Sequence, residues 1–118
     1  MDHTDPVKVA TGRALYADHC AACHGENLEG QPNWRTRNEE GRLPAPPHDQ
    51  TGHTWHHPDQ QLFDITMNGI EAFAPDGYVS DMMGFKDILS DAEIWAVLSY
   101  IKSTWPPQVI EAQERRNP

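Results

Sequence analysis

The sequence contains only two cysteines, Cys20 and Cys23, among its 118 residues. It also lacks any apolar run of the roughly 18–20 residues that a membrane-spanning helix needs. Positive charge is scarce, with 9 Lys and Arg against 18 Asp and Glu and a formal net charge of −9. This balance gives no basis for binding nucleic acid or an anionic membrane surface. The length allows one domain with a small core, over residues 1–118, and excludes two.

The two cysteines are followed directly by a histidine, in Cys20-Ala21-Ala22-Cys23-His24. This spacing is the pattern of c-type haem attachment. Two thiols three positions apart on a helical turn can add to the two vinyl groups at one porphyrin edge, and His24 can then give its imidazole to the iron. We therefore predict one haem c per chain, with Cys20 and Cys23 as its anchors and His24 as an iron ligand.

The same cysteines have three alternative uses, namely a redox dithiol, half of a zinc site and a structural disulfide. A thioredoxin-like dithiol follows a strand, whereas residues 12–19 have a helical pattern. A zinc site needs a second pair of ligands, and the sequence has no further cysteine. The haem anchor is therefore favoured.

The first residues, 1–6, are polar and acidic, unlike the basic and then apolar start of a secretory signal. They predict either a cytosolic chain or an exported chain whose signal is not included. Because bacteria join haem to cysteine thiols outside the cytoplasm, the haem motif favours the second, periplasmic location.

Three helices are predicted, over about residues 7–20, from Pro58 to Asn68-Gly69, and from the capping box Ser90-Asp91-Ala92-Glu93 to the residue before Trp105. The apolar side of the first helix is expected to contain Val7, Ala10, Ala14, Leu15 and Tyr16. Gly12 lies in that helix, where glycine costs about 1 kcal/mol relative to alanine, so the close approach of another helix is expected there.

Two segments have no helical pattern. Residues 25–56 form a long loop with four glycines, and such a loop is expected to wrap a flat apolar cofactor and pack Leu28, Trp34, Leu43 and its prolines on the cofactor's edge. The domain core is expected over about residues 7–106. Residues 107–118 are a polar tail, expected to lie on the surface or to fray.

Three segments resemble class I (monohaem, bacterial) cytochromes c, and the likeness spans about residues 9–106. They are Gly12 and Tyr16 before Cys20-Ala21-Ala22-Cys23-His24-Gly25, the loop Asp81-Met82-Met83-Gly84-Phe85 before Leu89-Ser90-Asp91, and Ile94-Trp95-Ala96-Val97-Leu98-Ser99-Tyr100-Ile101. The resemblance implies an all-α, small cytochrome c fold, with three to five short helices wrapped around one covalently attached haem and with long loops. It also implies that the first and last helices cross at Gly12 and Tyr100.

The resemblance further implies a methionine as the second iron ligand. Family members commonly have Met-Pro-x-Phe before the last helix, and placing Phe85 on that Phe puts Met82 at the ligand position. Met83 then stands where the family has proline, and it is the alternative ligand. Both methionines could instead be gap fillers, but their loop has no helix face to fill.

Further haem contacts are expected in the long loop. The resemblance favours Trp55 as an indole N–H donor at the propionate edge, and it implies that one of Pro44, Pro46 and Pro47, for which we take Pro46, accepts the ring N–H of His24. The cations available to a propionate include Arg42, with Arg35 as the alternative. Thr54 or the neighbouring histidines, His53, His56 and His57, can add further donors at that edge. Three other roles stay open for these histidines: they bind copper or zinc, His56 and His57 are only polar surface residues at a helix start, or one of the three replaces Met82 on the iron.

The predicted function is that of an electron carrier, not an enzyme in its own right. Its iron cycles between Fe(III) and Fe(II) with both axial positions filled, as a monomer or as a subunit or domain of a larger oxidoreductase. The net charge of −9 predicts redox partners with a basic docking patch. Two alternatives remain: a ligand-labile haem protein with peroxidase-like or gas-sensing activity, and a haem-free copper-handling module.

Overall fold

The computed structural model is all-α in the residues that it describes, which are 1–37, 39, 41, 44–69, 82 and 84–117. Its α-helices are α1 (Pro6–His19), α2 (Ala21–His24), α3 (Asp59–Asn68), α4 (Asp91–Ser103) and α5 (Pro107–Glu114), and a 3₁₀ helix (Thr54–His56) precedes α3. This architecture confirms the predicted class of small helical fold. Among the described residues, no helix combines the length and the apolarity that crossing a bilayer requires.

Helices α1 and α4 cross in direct backbone contact. The Asp5 carboxylate caps the start of α1 by accepting the backbone N–H groups of Val7 and Lys8. Gly12 is buried, and a Cβ atom placed there would overlap the Ala96 carbonyl oxygen and lie 2.9 Å from Cβ of Tyr100. The Tyr16 and Tyr100 rings meet beside this point, with centroids 5.5 Å apart. The structure confirms the predicted crossing and explains the glycine.

The apolar side predicted for α1 is wrong at three of its positions. Tyr16 is buried and Leu15 is half-buried, but Val7 is 73% exposed and both Ala10 and Ala14 are exposed. The reason is the close crossing at Gly12, because α1 meets α4 along a narrow line and not through a broad apolar stripe.

Helix α4 forms the centre of the core. The capping box is present, since Ser90 Oγ accepts the N–H of Glu93 at 3.2 Å and the Glu93 carboxylate accepts the N–H of Ser90 at 2.9 Å. The Phe63 ring of α3 stacks on Trp95 with centroids 4.5 Å apart. The buried apolar residues of α4 are Ile94, Ala96, Val97, Leu98 and Ile101. Helices α1 and α3 therefore contact different residues of α4, with Ala96 and Tyr100 facing α1 and Trp95 facing α3.

Of the two expectations for the tail, fraying is wrong for residues 107–114, which form α5 on the surface of the domain. Gln113 of α5 is fully buried, and its Nε2 donates to the His57 carbonyl oxygen at 3.1 Å and to the Asp59 carboxylate at 2.7 Å. The Lys102 ammonium of α4 lies 3.3 Å from the Glu114 carboxylate. The polar composition is misleading because α5 is held by hydrogen bonds and charge to segments distant in the sequence.

Candidate functional site

The two cysteines and His24 lie on one helical turn. The Cys20 carbonyl oxygen accepts the backbone N–H groups of Cys23 at 3.1 Å and of His24 at 2.9 Å. Cys20 is half-buried and Cys23 is exposed, and both thiols are free. The turn ends at Gly25, whose φ of 91° lies in the region that favours glycine, and the buried Tyr16 hydroxyl donates to the Gly25 carbonyl oxygen at 2.8 Å. Helix α1 thus positions both ends of the motif, because it leads directly into Cys20 and its Tyr16 is hydrogen-bonded to Gly25.

The chemistry of the thiols disfavours the dithiol and zinc alternatives. Burial, with a smaller contribution from neighbouring Cys23, raises the pKa of the Cys20 thiol to about 11. The reactive thiol of a redox dithiol has a lowered pKa instead, so this shift disfavours the dithiol alternative. Across the part of the chain that the structure describes, no three His, Cys, Asp or Glu side chains converge on a point where a metal ion could be held.

His24 is buried, and its Nδ1 lies 2.8 Å from the Pro46 carbonyl oxygen. Since a carbonyl oxygen only accepts, Nδ1 carries the proton and donates, which leaves the lone pair on Nε2. Burial lowers the pKa of His24, and the bond to Pro46 opposes this shift in part. The imidazole is therefore held neutral and in a single tautomer, which is the form that binds iron. Two free thiols and this imidazole on one turn fit a covalently attached haem.

The long loop is folded back on itself beside His24. The N–H of Gln31 donates to the Ala45 carbonyl oxygen at 2.9 Å, and the N–H of His48 donates to the Leu28 carbonyl oxygen at 2.9 Å. Leu28 is buried, as expected, and Trp34 is half-buried. Leu43 lies outside the described residues. This pairing of 28–31 with 45–48 brings Pro46, among the three candidate prolines, to His24.

Gly84 and Phe85, the described residues that follow Met82, lie against the end of α3. The N–H of Phe85 donates to the Thr66 carbonyl oxygen at 3.0 Å, and a Cβ atom at Gly84 would come within 2.6 Å of the Met67 carbonyl oxygen. The Phe85 ring meets His19, the residue before Cys20, edge to face with centroids 6.5 Å apart. Met82 is half-buried. Phe85 is therefore hydrogen-bonded to α3 and lies beside the end of α1 that leads into the motif.

The choice between Met82 and Met83 stays a prediction, because Met83 lies outside the described residues. The predicted contact of Arg42 with a haem propionate also stays a prediction, because Arg42 lies outside the described residues. Its alternative, Arg35, is exposed and lies over the Trp34 ring at 4.7 Å.

Trp55 and the histidines beside it form a stacked surface cluster. The Trp55 indole N–H donates to the Gln50 carbonyl oxygen at 3.1 Å, and its ring stacks on His56 with centroids 3.9 Å apart. The rings of His53 and His56 lie 5.3 Å apart, and Arg116 lies over Trp55 at 5.4 Å. The propionate role of Trp55 stays a prediction, and the stacking favours a surface role for the two histidines.

Two residues at the site have no sequence motif that points to them. The His48 ring packs against His24 in a tilted arrangement, with centroids 4.0 Å apart and ring planes inclined at 33°. The Trp105 indole N–H donates to the His48 carbonyl oxygen at 2.8 Å. In the sequence, Trp105 reads only as part of a helix stop, and His48 only as the residue after a pair of prolines. His48 and Trp105 contact residues that are distant in the sequence, so the local spacing of residues could not have predicted these contacts.

The cytochrome c family model matches residues 9–105 of the chain. The chain is 29% identical over 94 residues to the Cbb3-type cytochrome c oxidase subunit FixP of Azorhizobium caulinodans. That alignment covers 80% of this chain but only 28% of the relative's length. No solved structure gives a significant match.

The chain belongs to the cytochrome c family. Membership identifies its cofactor as covalently bound haem c, and its role as that of a c-type cytochrome in electron transport. Covalent attachment needs cysteine thiols, and two free cysteines are present at positions 20 and 23.

Proposed function

We propose that the protein is a monohaem electron carrier that holds its iron between His24 and Met82 and is not an enzyme in its own right. The bound haem supplies a one-electron Fe(III)/Fe(II) couple. The observation that carries the proposal is the hydrogen bond from His24 Nδ1 to the Pro46 carbonyl oxygen at 2.8 Å. It directs Nε2 as the ligand atom and increases the basicity of the ring.

The methionine loop supports the second ligand. The N–H of Phe85, three residues after Met82, donates to the Thr66 carbonyl oxygen of α3, and the Phe85 ring packs beside His19, next to the cysteine turn. A thioether is a soft ligand that favours Fe(II), which raises the reduction potential. Two protein ligands also deny small molecules an open position on the metal, which separates a carrier from a peroxidase-like or gas-binding protein.

Replacing Met82 by alanine is expected to abolish the weak far-red absorption band that a sulfur ligand produces in the ferric protein. The reduction potential is expected to fall, because Fe(II) loses its soft ligand. Absorption spectroscopy and a redox titration measure both changes. Met67→Ala is the control, since Met67 is half-buried on α3 and packs against the core.

The outcomes separate the alternatives. Loss of the band in Met83→Ala together with its persistence in Met82→Ala would assign the ligand to Met83. Absence of the band in the unmodified protein would contradict methionine ligation and favour the ligand-labile alternative.

We also propose that the protein works in the bacterial periplasm with redox partners that dock through a basic patch. The relative's printed name makes it an oxidase subunit, which supports a role as a carrier or as part of a redox complex. Around the cysteine turn, Asp18, Glu26 and Glu29 are exposed. The face that carries the haem anchor is thus acidic, in keeping with the net charge of −9.

This charge predicts opposite salt effects with two small redox reagents. Raising the ionic strength from 0.01 to 0.1 M shortens the screening length from about 30 to about 10 Å. Electron exchange with cationic hexaammineruthenium is expected to slow, on the order of tenfold at most, while exchange with anionic iron–EDTA is expected to accelerate. Stopped-flow kinetics measure both rates. A double Glu26→Gln, Glu29→Gln variant should reduce the two salt dependences, and equal salt effects for both reagents would contradict an acidic docking face.

A further inference from the structure

The 46–48 segment is anchored at His48 by three hydrogen bonds. The His48 N–H donates to the Leu28 carbonyl oxygen at 2.9 Å, and the His48 carbonyl oxygen accepts the Trp105 indole N–H at 2.8 Å. The His48 ring Nδ1 lies 2.7 Å from the Thr54 hydroxyl oxygen. The three partners come from the start of the long loop, the 3₁₀ helix and the residues after α4, so the segment is held from three directions.

Two glycines pack against the backbone of this segment and restrict its movement. A Cβ atom at Gly30 would lie 2.5 Å from the Pro47 nitrogen, and one at Gly52 would overlap the Pro47 carbonyl oxygen. The backbone at Pro47 therefore packs directly against Gly30 and Gly52, where no side chain could be accommodated. Gly30 also donates its N–H to the His24 carbonyl oxygen at 2.6 Å. This hydrogen bond connects the 46–48 segment, through Gly30, to the cysteine turn.

The segment contacts the His24 imidazole twice. The Pro46 carbonyl oxygen accepts the proton on Nδ1, at the edge of the ring. The His48 ring lies against the face of the imidazole, with centroids 4.0 Å apart and planes inclined at 33°. A bond at the edge and a ring against the face together limit the rotation of the imidazole about its Cβ–Cγ bond.

We propose that Trp105 and Thr54 are positioning residues, which hold the 46–48 segment so that His24 keeps one ring orientation and one strong bond to Pro46. This inference rests on the proposed role of His24 as the iron ligand. Neither residue is itself a ligand. Trp105 acts on the backbone of His48 and Thr54 acts on its ring, and the effect of both reaches the cofactor through His24.

The direction of the effect follows from the bond to Pro46. A carbonyl acceptor on the Nδ1 proton makes the imidazole a more basic ligand, and a more basic ligand stabilises Fe(III) over Fe(II). Loosening the segment lengthens this bond and weakens the preference for Fe(III). The reduction potential is therefore expected to rise when the Trp105 or Thr54 contact is removed.

The test uses Trp105→Phe, which keeps an aromatic ring but removes the N–H, and Thr54→Val, which keeps the shape but removes the hydroxyl. Each variant of the haem-loaded protein is expected to shift the Fe(III)/Fe(II) ratio at fixed potential by about threefold toward Fe(II), which is about 28 mV at about 59 mV per tenfold. The proton NMR shifts of the haem methyl groups in the ferric protein should also change, since they report the orientation of the imidazole plane.

Matched substitutions control for loss of stability alone. Trp95→Phe makes the same change at a tryptophan that stacks on Phe63, and Thr54→Ser restores the hydroxyl. Both are expected to keep the potential and the methyl pattern of the unmodified protein. Thermal unfolding of all four variants measures stability separately.

The proposal is overturned if Trp105→Phe and Thr54→Val lower the thermal stability but leave the potential and the methyl pattern unchanged. It is also overturned if Trp95→Phe changes them equally. Failure of the underlying function has a different signature, since an unmodified protein without a low-spin ferric spectrum would show that His24 and Met82 do not both bind the iron.

Discussion

Replacing Gly12 by valine is expected to lower the free energy of unfolding by about 3 kcal/mol or more. A Cβ atom at this position overlaps the Ala96 carbonyl oxygen, which is backbone in the middle of α4. Neither helix can move without separating the buried Tyr16 from its ring contact with Tyr100. Denaturant unfolding of the haem-loaded protein, followed by circular dichroism, measures the change.

Ala10→Val is the control for this substitution, because it adds a β-branched side chain to the exposed side of the same helix. Its expected cost is only the helix propensity of valine, about 0.5 kcal/mol. Equal stability of the Gly12 and Ala10 variants would contradict the backbone contact between α1 and α4. A Gly12→Ala variant should fall between the two, since even a single methyl group meets the Ala96 carbonyl.

Replacing both Cys20 and Cys23 by serine is expected to abolish covalent haem attachment and, in a chain produced without haem, most of the helical structure. The buried apolar residues come mainly from α3 and α4, with Tyr16 from α1 and Leu28 from the long loop packed against them. A porphyrin adds a large apolar surface to this small core. Mass spectrometry measures the attachment, and far-ultraviolet circular dichroism measures the helix content.

The single Cys23→Ser variant is the matched control for the double variant. It keeps the half-buried Cys20 and the turn that holds His24, so one thioether bond and a folded protein are expected. A double variant that is free of haem, has full helix content and unfolds cooperatively would show that the cofactor is not needed to complete the core.

Local patterns were sufficient for several features of the fold. The capping box at Ser90 and Glu93 is present because both of its bonds lie within one helical turn. The stop at Asn68-Gly69 marks the end of α3, where Gly69 has a φ of 84°. Gly12 could be assigned to a close crossing because a glycine inside a helix has an energetic cost that needs a compensating contact.

Other features depend on contacts between distant segments. Three prolines stand within four residues, and only the pairing of 28–31 with 45–48 brings Pro46 to the His24 ring. Helix α5 is polar in composition, and its place follows from the bonds of Gln113 to His57 and Asp59. No periodicity within either segment contains that information.

The sequence by itself predicted the haem anchor, because the spacing of Cys20, Cys23 and His24 is the pattern of c-type haem attachment. It also determined the helical class and the position of the main helix, through capping and periodicity. Only the tertiary structure decided which carbonyl meets His24, that His48 covers its face, and that Trp105 and Thr54 hold His48 in place. The physical reason is that hydrogen bonds and stacking act over a few ångströms in space, whatever their separation along the chain.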